Sequence, residues 1–258
     1  MNQTTVFHIV SKVPQITLLF WITKIFATTF GETAGDAVSM SLNLGYLVGT
    51  FIFAVLFIVL VFFQIRSKDY HPYLYWFTII ASTTVGTTLA DFVDRSLGIG
   101  YVGGSTLLLS LVLISLYSWH KVEGSISPHS VNHPRAELFY WLTITFSQTL
   151  GTALGDWSAD TAGLGYSGGI MLYTGLIAVI VGLYFWTNIS RTLLFWSAFI
   201  LTRPLGAVVG DFLDKPLDHG GLALSRFTAS AVLLIAILTC IYISNSFSNK
   251  QNTPLLKS

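Results

Sequence analysis

The chain has 258 residues, a mean hydropathy of +0.68 and only 10% charged residues. A soluble domain carries about 25% charged residues, so this composition excludes an ordinary soluble protein and indicates an integral membrane protein. The net charge of +1 and the single cysteine give no indication of a nucleic-acid partner and exclude a disulfide framework.

Apolar segments of nearly constant length follow one another along the chain. A helix needs roughly 20 such residues to cross a bilayer. Eight transmembrane helices are predicted, at 14–36, 46–65, 73–93, 101–119, 137–157, 166–187, 192–213 and 221–243. The longest polar connection, 121–137, divides one all-α membrane domain into a first half at 1–120 and a second half at 121–258.

A short motif recurs four times near the end of every odd-numbered segment. Its first copy is FGETAGD, Phe30–Asp36, and the full pattern is an aromatic residue followed by W-x9-G-x3-[GA]-D-x8-G. The motif aspartates are Asp36, Asp91, Asp156 and Asp211, and the motif tryptophans are Trp21, Trp76, Trp141 and Trp196. The pattern therefore predicts four two-helix repeats.

The spacing of the repeats indicates a second level of duplication. The first glycines of the motif are separated by 55, 65 and 55 residues, so one offset of 120 carries the first two repeats onto the last two. Each repeat crosses the membrane twice, so all four have the same orientation, unlike inverted repeats. The four motif aspartates are then expected at one depth.

This pattern resembles a family of bacterial integral membrane proteins built from four tandem two-helix repeats, each with a characteristic tryptophan, known as a repeat of unknown function. Two features depart from the pattern: Ala90 replaces the glycine before Asp91, and Gly220 is not followed by tyrosine. The resemblance implies the repeat architecture and a bacterial cytoplasmic membrane. It implies no agreed activity.

The distribution of basic residues predicts the orientation. Lysines and arginines are concentrated in the tails and between repeats, whereas the connections within repeats carry only Arg95 and Lys215. Cytoplasmic loops favour these residues, so both termini are expected in the cytoplasm of a cell with an inner membrane. The motif aspartates would then lie in the outer third of the membrane, and the tryptophans would anchor the cytoplasmic interface.

Small residues four apart form a stripe on each odd-numbered helix. Such stripes let membrane helices approach closely, so the odd helices are expected to form an inner cluster surrounded by the even helices. The stripe residues are Gly31, Gly35, Gly86, Ala90, Gly151, Gly155, Gly206 and Gly210. Each motif aspartate directly follows the second small residue and so lies beside the contact.

Two interpretations of the motif aspartates remain open. Ionisable groups within a membrane are expensive and functional by default, which favours a carboxylate cluster, with Glu32 as a further member, on an ion path. The alternative is that the aspartates cap helix ends or pair with the bases Lys24, Arg203 and Arg226. Lys24 precedes Glu32 by eight residues, as Arg203 precedes Asp211, so either pair would share a helix face.

The function predicted from these residues is transport of a small cation, with the four aspartates as tentative metal ligands. Carboxylate oxygens suit hard ions such as Mg²⁺, Mn²⁺ or a proton. Apart from such a bound cation no cofactor is expected, and the partners expected are the lipid bilayer and the ion. An assembly scaffold is the alternative. An intramembrane aspartyl hydrolase is a weaker one, because it needs one special pair rather than four similar aspartates.

Overall fold

The computed structural model describes residues 11–252, with side chains to residue 247, and this part of the chain is helical with no β-strand. The eight predicted helices are confirmed as helices. They are α1 (Leu18–Asp36), α2 (Gly45–Arg66), α3 (Pro72–Asp91), α4 (Gly100–Glu123), α5 (Pro134–Asp156), α6 (Gly165–Trp186), α7 (Arg191–Asp214) and α8 (Arg226–Asn252).

Five of the described helices are long and apolar enough to cross a membrane, namely α2, α4, α6, α7 and α8. The other three, α1, α3 and α5, have 19, 20 and 23 residues and are rich in threonine, and α1 and α5 each contain three charged side chains. The fold is therefore that of a membrane protein, and the crossing of α1, α3 and α5 stays a prediction.

The connection within each repeat explains the spacing of the motif. In the first three repeats the odd helix continues past its aspartate into one π-helical turn, at Ala37–Ser41, Phe92–Ser96 and Trp157–Thr161. The next helix then begins at a glycine with a φ of 63–75°. Glycine adopts this left-handed conformation without steric penalty, so the motif requires glycine nine residues after the aspartate.

The fourth repeat ends differently. Helix α7 remains α-helical to Asp214, and Lys215 is extended, with a ψ of 154°. The following residue is Pro216, and a residue before proline is biased from helical to extended backbone. A short 3₁₀ turn at Leu217–His219 then leads to α8.

The odd helices form a closed inner ring. Helix α1 contacts α3 and α7, and α5 contacts the same two helices. Each even helix packs outside the ring against the odd helix of the following repeat: α2 on α3, α4 on α5, α6 on α7, and α8 back on α1. The prediction of an inner cluster of odd helices is confirmed, and the exchange of even helices between repeats closes the chain into a four-fold arrangement.

Polarity is inverted relative to a soluble bundle. The buried residues of α2 are Gly49 and Gln64, while most of its apolar side chains point outward. The buried face of α3, by contrast, includes six threonines and serines. Apolar groups outside and hydrogen-bonding groups inside suit a bilayer, in which lipid-facing polar groups are unfavourable.

The first glycine of each stripe packs against a side chain of the neighbouring ring helix. This is the close helix approach that the stripes predict. Gly31 contacts Thr83, Gly86 contacts Gln148, and the same contact recurs around the ring from Gly151 to Arg203 and from Gly206 to Thr28. A Cβ atom on Gly86 would lie 2.8 Å from the backbone carbonyl carbon of Gln148. The four contacts are equivalent, so one packing interaction is used at every joint of the ring.

The prediction that the four tryptophans anchor a membrane interface is wrong for three of them. Trp76, Trp141 and Trp196 are buried within the protein, and only Trp21 is partly exposed. The N-terminal ends of the ring helices bring their rings together, with centroids 5.4 Å apart for Phe20 and Trp76. Because this end of the ring is filled by packed aromatic rings, the tryptophans stabilise the helix ends against each other rather than against lipid.

Candidate functional site

Five axial layers of side chains fill the interior of the ring. One residue from each ring helix contributes to each layer, and successive layers are four residues apart, or about 6 Å along a helix. From the aromatic end, the layers are Phe20, Tyr75, Tyr140 and Phe195; Lys24, Ile79, Ile144 and Phe199; Thr28, Thr83, Gln148 and Arg203; Glu32, Thr87, Thr152 and Ala207; and the motif aspartates. All twenty side chains are buried.

The third and fourth layers are joined across the ring by Arg203. Its Nη2 donates to Glu32 Oε2 at 3.0 Å, to Thr87 Oγ1 at 2.7 Å, and to Thr152 Oγ1. One guanidinium group thus contacts all three other ring helices. The predicted partner, Asp211, lies two turns away or about 12 Å along the same helix, whereas Glu32 is one layer away on the adjacent helix.

Lys24 has no acidic partner among the described residues. Its Nζ is 3.5 Å from Gln148 Oε1 and 4.1 Å from the centre of the Phe199 ring. Of the two interpretations left open for Lys24, its pairing with Glu32 is not found in the structure, because Glu32 is bound to Arg203 from the adjacent helix.

The motif aspartates meet at the opposite end of the ring, where two bases bridge them. Arg95 lies 2.8 Å from Asp91 and 3.2 Å from Asp156. In the same way, Lys215 lies 2.5 Å from Asp36 and 3.0 Å from Asp211. Each base joins the aspartate of its own repeat to that of the next, so the two bridges connect the first half of the chain to the second.

Sequence reasoning missed both bridging bases. Arg95 and Lys215 each follow a motif aspartate by four residues and are related by the offset of 120. An acid and a base four residues apart on a helix are neighbours, so this spacing could have identified them. The predicted base Arg226 does lie at this end, 3.0 Å from Asp214 and 3.8 Å from Asp36.

Carboxylates converge at this acidic end from three ring helices. One oxygen each of Glu32, Asp156 and Asp211 lies within 4.8 Å of the others, and Asp36, Asp211 and Asp214 form a second such group. Three oxygen ligands within this distance can hold a hard cation or share a proton. The same carboxylates also hold basic side chains, so the geometry contains both the ion-binding and the charge-pairing arrangement.

The fold and the acidic end define an all-helical repeat protein in which helices long and apolar enough to cross a membrane surround a charged interior. Residues 19–70, 74–125, 139–190 and 194–245 each match the Repeat of Unknown Function (DUF347), and the chain belongs to this family. The matched repeats begin 55, 65 and 55 residues apart, the same spacing as the motif glycines. A comparison with curated proteins and one with solved structures found no match.

Proposed function

We propose that this protein transports a small cation along the axis of the ring, with the carboxylates of the acidic end as its binding site. The observation that carries the proposal is the convergence of Glu32, Asp156 and Asp211 from three helices on one buried point. The proposal includes eight membrane crossings, with both termini in the cytoplasm of a bacterial cell and the acidic end facing outward.

The energetics of a membrane interior support a functional role. Placing one acid at the centre of a membrane helix costs about 2.5–3.5 kcal/mol on insertion scales. Well-packed apolar residues replace buried ion pairs with little loss of stability, so a purely structural core does not require these groups. Apart from the Lys12–Glu137 pair near the start of α5, the interior nevertheless holds seven carboxylates, Glu32, Asp36, Asp91, Asp94, Asp156, Asp211 and Asp214, and five bases, Lys24, Arg95, Arg203, Lys215 and Arg226.

The charge balance indicates how an ion could be accommodated. Seven carboxylates against five bases leave two negative charges when every group is ionised. Arg95 and Lys215 lie at the rim of the ring, with side chains 35% and 14% exposed. Long basic side chains can keep their stems buried while their charged heads move toward water. An arriving cation can therefore take the place of a bridging base among the carboxylates.

The ligand set favours a hard ion. Both clusters of three carboxylates offer oxygen ligands, which suit Mg²⁺, Mn²⁺ or a proton. Because protons and metal ions compete for the same carboxylates, exchange of a divalent cation for protons is the transport mode that we propose.

The test is flux in vesicles that contain the purified full chain. Uptake of Mn²⁺ and Mg²⁺ is followed with an indicator dye, with and without a pH gradient. We expect Asp156→Asn and Asp211→Asn to abolish uptake. The matched control is Asp218→Asn, an acid that follows α7 and whose side chain is 79% exposed, and this variant should transport like the wild type. Undiminished uptake in both ring variants would rule out the proposal.

An assembly scaffold is the second candidate, and one observation favours it. Every motif aspartate has a basic side chain within 4.0 Å, the pattern expected if the charges only join helices. In that case the wild type shows no ion uptake, and Asp156→Asn and Asp211→Asn lower the melting temperature.

A further inference from the structure

The middle of the ring contains hydrogen-bond donors that lack acceptors. Arg203 uses Nη2 for its bonds, while its Nε and Nη1 are buried with no partner among the described residues. Gln148 Nε2 is likewise buried without a partner among the described residues. Lys24 Nζ donates one hydrogen bond, of 3.5 Å, to Gln148 Oε1. We refer to Lys24, Gln148 and Arg203 as the donor cluster.

These donors are an exception to the behaviour of buried polar groups. Native proteins satisfy nearly all of them, and an unpartnered group in a water-poor interior is strongly unfavourable. The nearby hydroxyl groups do not accept from these donors in the structure. Thr83 Oγ1, in the same layer as Gln148 and Arg203, is itself buried without a partner among the described residues. The donor cluster therefore lacks an acceptor among the side chains around it, and a bound acceptor would satisfy its donors.

The charge of the cluster identifies the kind of acceptor. Lys24 and Arg203 are fully buried and bring two positive charges, whereas Glu32, the carboxylate bonded to Arg203, brings one negative charge. Water could complete the hydrogen bonds, but it carries no charge to balance Lys24, whose hydrogen-bond partner Gln148 is neutral, and isolated buried charges are unfavourable. A bound anion satisfies both the donors and the charge.

The packing around the cluster limits the size of the anion. The stem of Arg203 is pressed against Gly151 so closely that a Cβ atom there would overlap its Cβ and Cγ. Ile79, Ile144 and Phe199, which are fully buried, fill the rest of the layer that contains Lys24. Apolar walls and N–H donors at close quarters suit a small, weakly hydrated monovalent ion better than a bulky oxyanion.

We propose that the donor cluster binds a small inorganic anion of the halide type in the middle of the ring. Arg203 Nε and Nη1, Gln148 Nε2 and Lys24 Nζ supply its hydrogen bonds. The site lies in the second and third axial layers, apart from the motif aspartates of the fifth layer. It depends on the donors alone and stands whether or not the acidic end transports a cation.

The experiment measures anion binding without any measurement of flux. Thermal unfolding of the purified full chain in detergent is compared in sodium bromide and in sodium gluconate at equal ionic strength. We expect bromide to raise the melting temperature of the wild type by about 2–4 °C, since a ligand that binds the folded state stabilises it. Crystals grown in bromide should show an anomalous peak beside Arg203.

Two variants and a control locate the effect. Lys24→Met and Gln148→Leu should each remove the difference between bromide and gluconate. Arg66→Gln should keep it, because Arg66 is an exposed base at the end of α2. The proposal is overturned if wild-type melting is the same in both salts, or if the bromide effect is unchanged in Gln148→Leu. Should Lys24→Met fail to fold, Gln148→Leu and the anomalous peak decide the matter.

Discussion

The two halves of this protein share the residues that join the ring helices, which we call the frame, and differ in the charged side chains buried inside the ring. Stripe glycines, motif aspartates and the bridging bases Arg95 and Lys215 recur at an offset of 120. The buried charges of the second, third and fourth layers do not recur. The counterpart of Lys24 in the other half is Ile144, and that of Glu32 is Thr152. The counterpart of Arg203 is Thr83.

This difference separates two tasks. Positions common to both halves close the ring. Each joint needs the same glycine contact, and each half needs the same bridging base at the acidic end. Positions that differ break the symmetry and place charge on the interface of α1 with α7, where the first and last repeats meet. We therefore expect substitutions at shared positions to have similar effects in both halves, and substitutions at the unique positions to have unequal effects.

The largest difference between the halves in the effect of a substitution is expected at Arg203 and Thr83, which occupy equivalent positions. Arg203→Met leaves Glu32 buried without its base, and loss of one partner of a buried pair costs about 3–5 kcal/mol of unfolding free energy. Thr83→Val should cost less than about 1 kcal/mol, because the Thr83 hydroxyl has no partner among the described residues. Denaturant titration in detergent measures both.

A double variant provides the control for this prediction. Adding Glu32→Leu to Arg203→Met removes the unpaired charge and should restore much of the lost stability. Equal losses of unfolding free energy in Arg203→Met and Thr83→Val would contradict the distinction between shared positions and the buried charges that differ between the halves.

A smaller inequality is expected between the two bridging bases. Lys215 lies within 4.0 Å of three carboxylates and its side chain is 14% exposed, whereas Arg95 contacts two and is 35% exposed. Lys215→Met should cost about 2–3 kcal/mol, the range for bonds to charged groups. Arg95→Met should cost less, about 1–2 kcal/mol, because water partly screens the more exposed Arg95 although Asp91 and Asp156 lose their base. A greater loss from Arg95→Met would contradict this order.

The glycine contacts should have similar effects in both halves. A Cβ atom on Gly86 would meet the backbone of Gln148, and one on Gly206 would meet Thr28 in the same way. Gly86→Ala and Gly206→Ala should each cost about 1–3 kcal/mol through overpacking. The control is Gly175→Ala on α6, where a Cβ atom meets no atom within 4 Å and melting should not fall. Unequal losses at the two ring glycines would show that the joints are not equivalent.

The smallest effect is expected at Asp94 and Asp214, which are related by the same offset. Asp214 is paired with Arg226, whereas both carboxylate oxygens of Asp94 are buried without a partner among the described residues. Asp94→Asn should raise stability by about 1 kcal/mol, because it removes an unpaired charge, and Asp214→Asn should lower it by at least as much. The melting temperatures of the two variants should therefore move in opposite directions.

Much of the frame was predictable from sequence because its signals are local and repeated. The helices, the glycine stripes and the common end of the motif aspartates follow from helical periodicity and from the number of crossings per repeat. The bridging role of Arg95 and the burial of Trp76 were not predicted. Both depend on the neighbouring repeat, since Arg95 bonds Asp156 and Trp76 packs on Phe20.

The sequence by itself determined four equivalent helix pairs with their acids at one end, because a repeated spacing forces repeated local structure. Only the tertiary structure decided which neighbour each helix takes and hence which charges meet. The even helices pack on the following repeat, and Arg203 reaches Glu32 across the joint between the last repeat and the first. The physical reason is that contacts across a ring are set by its closure, which no single repeat contains.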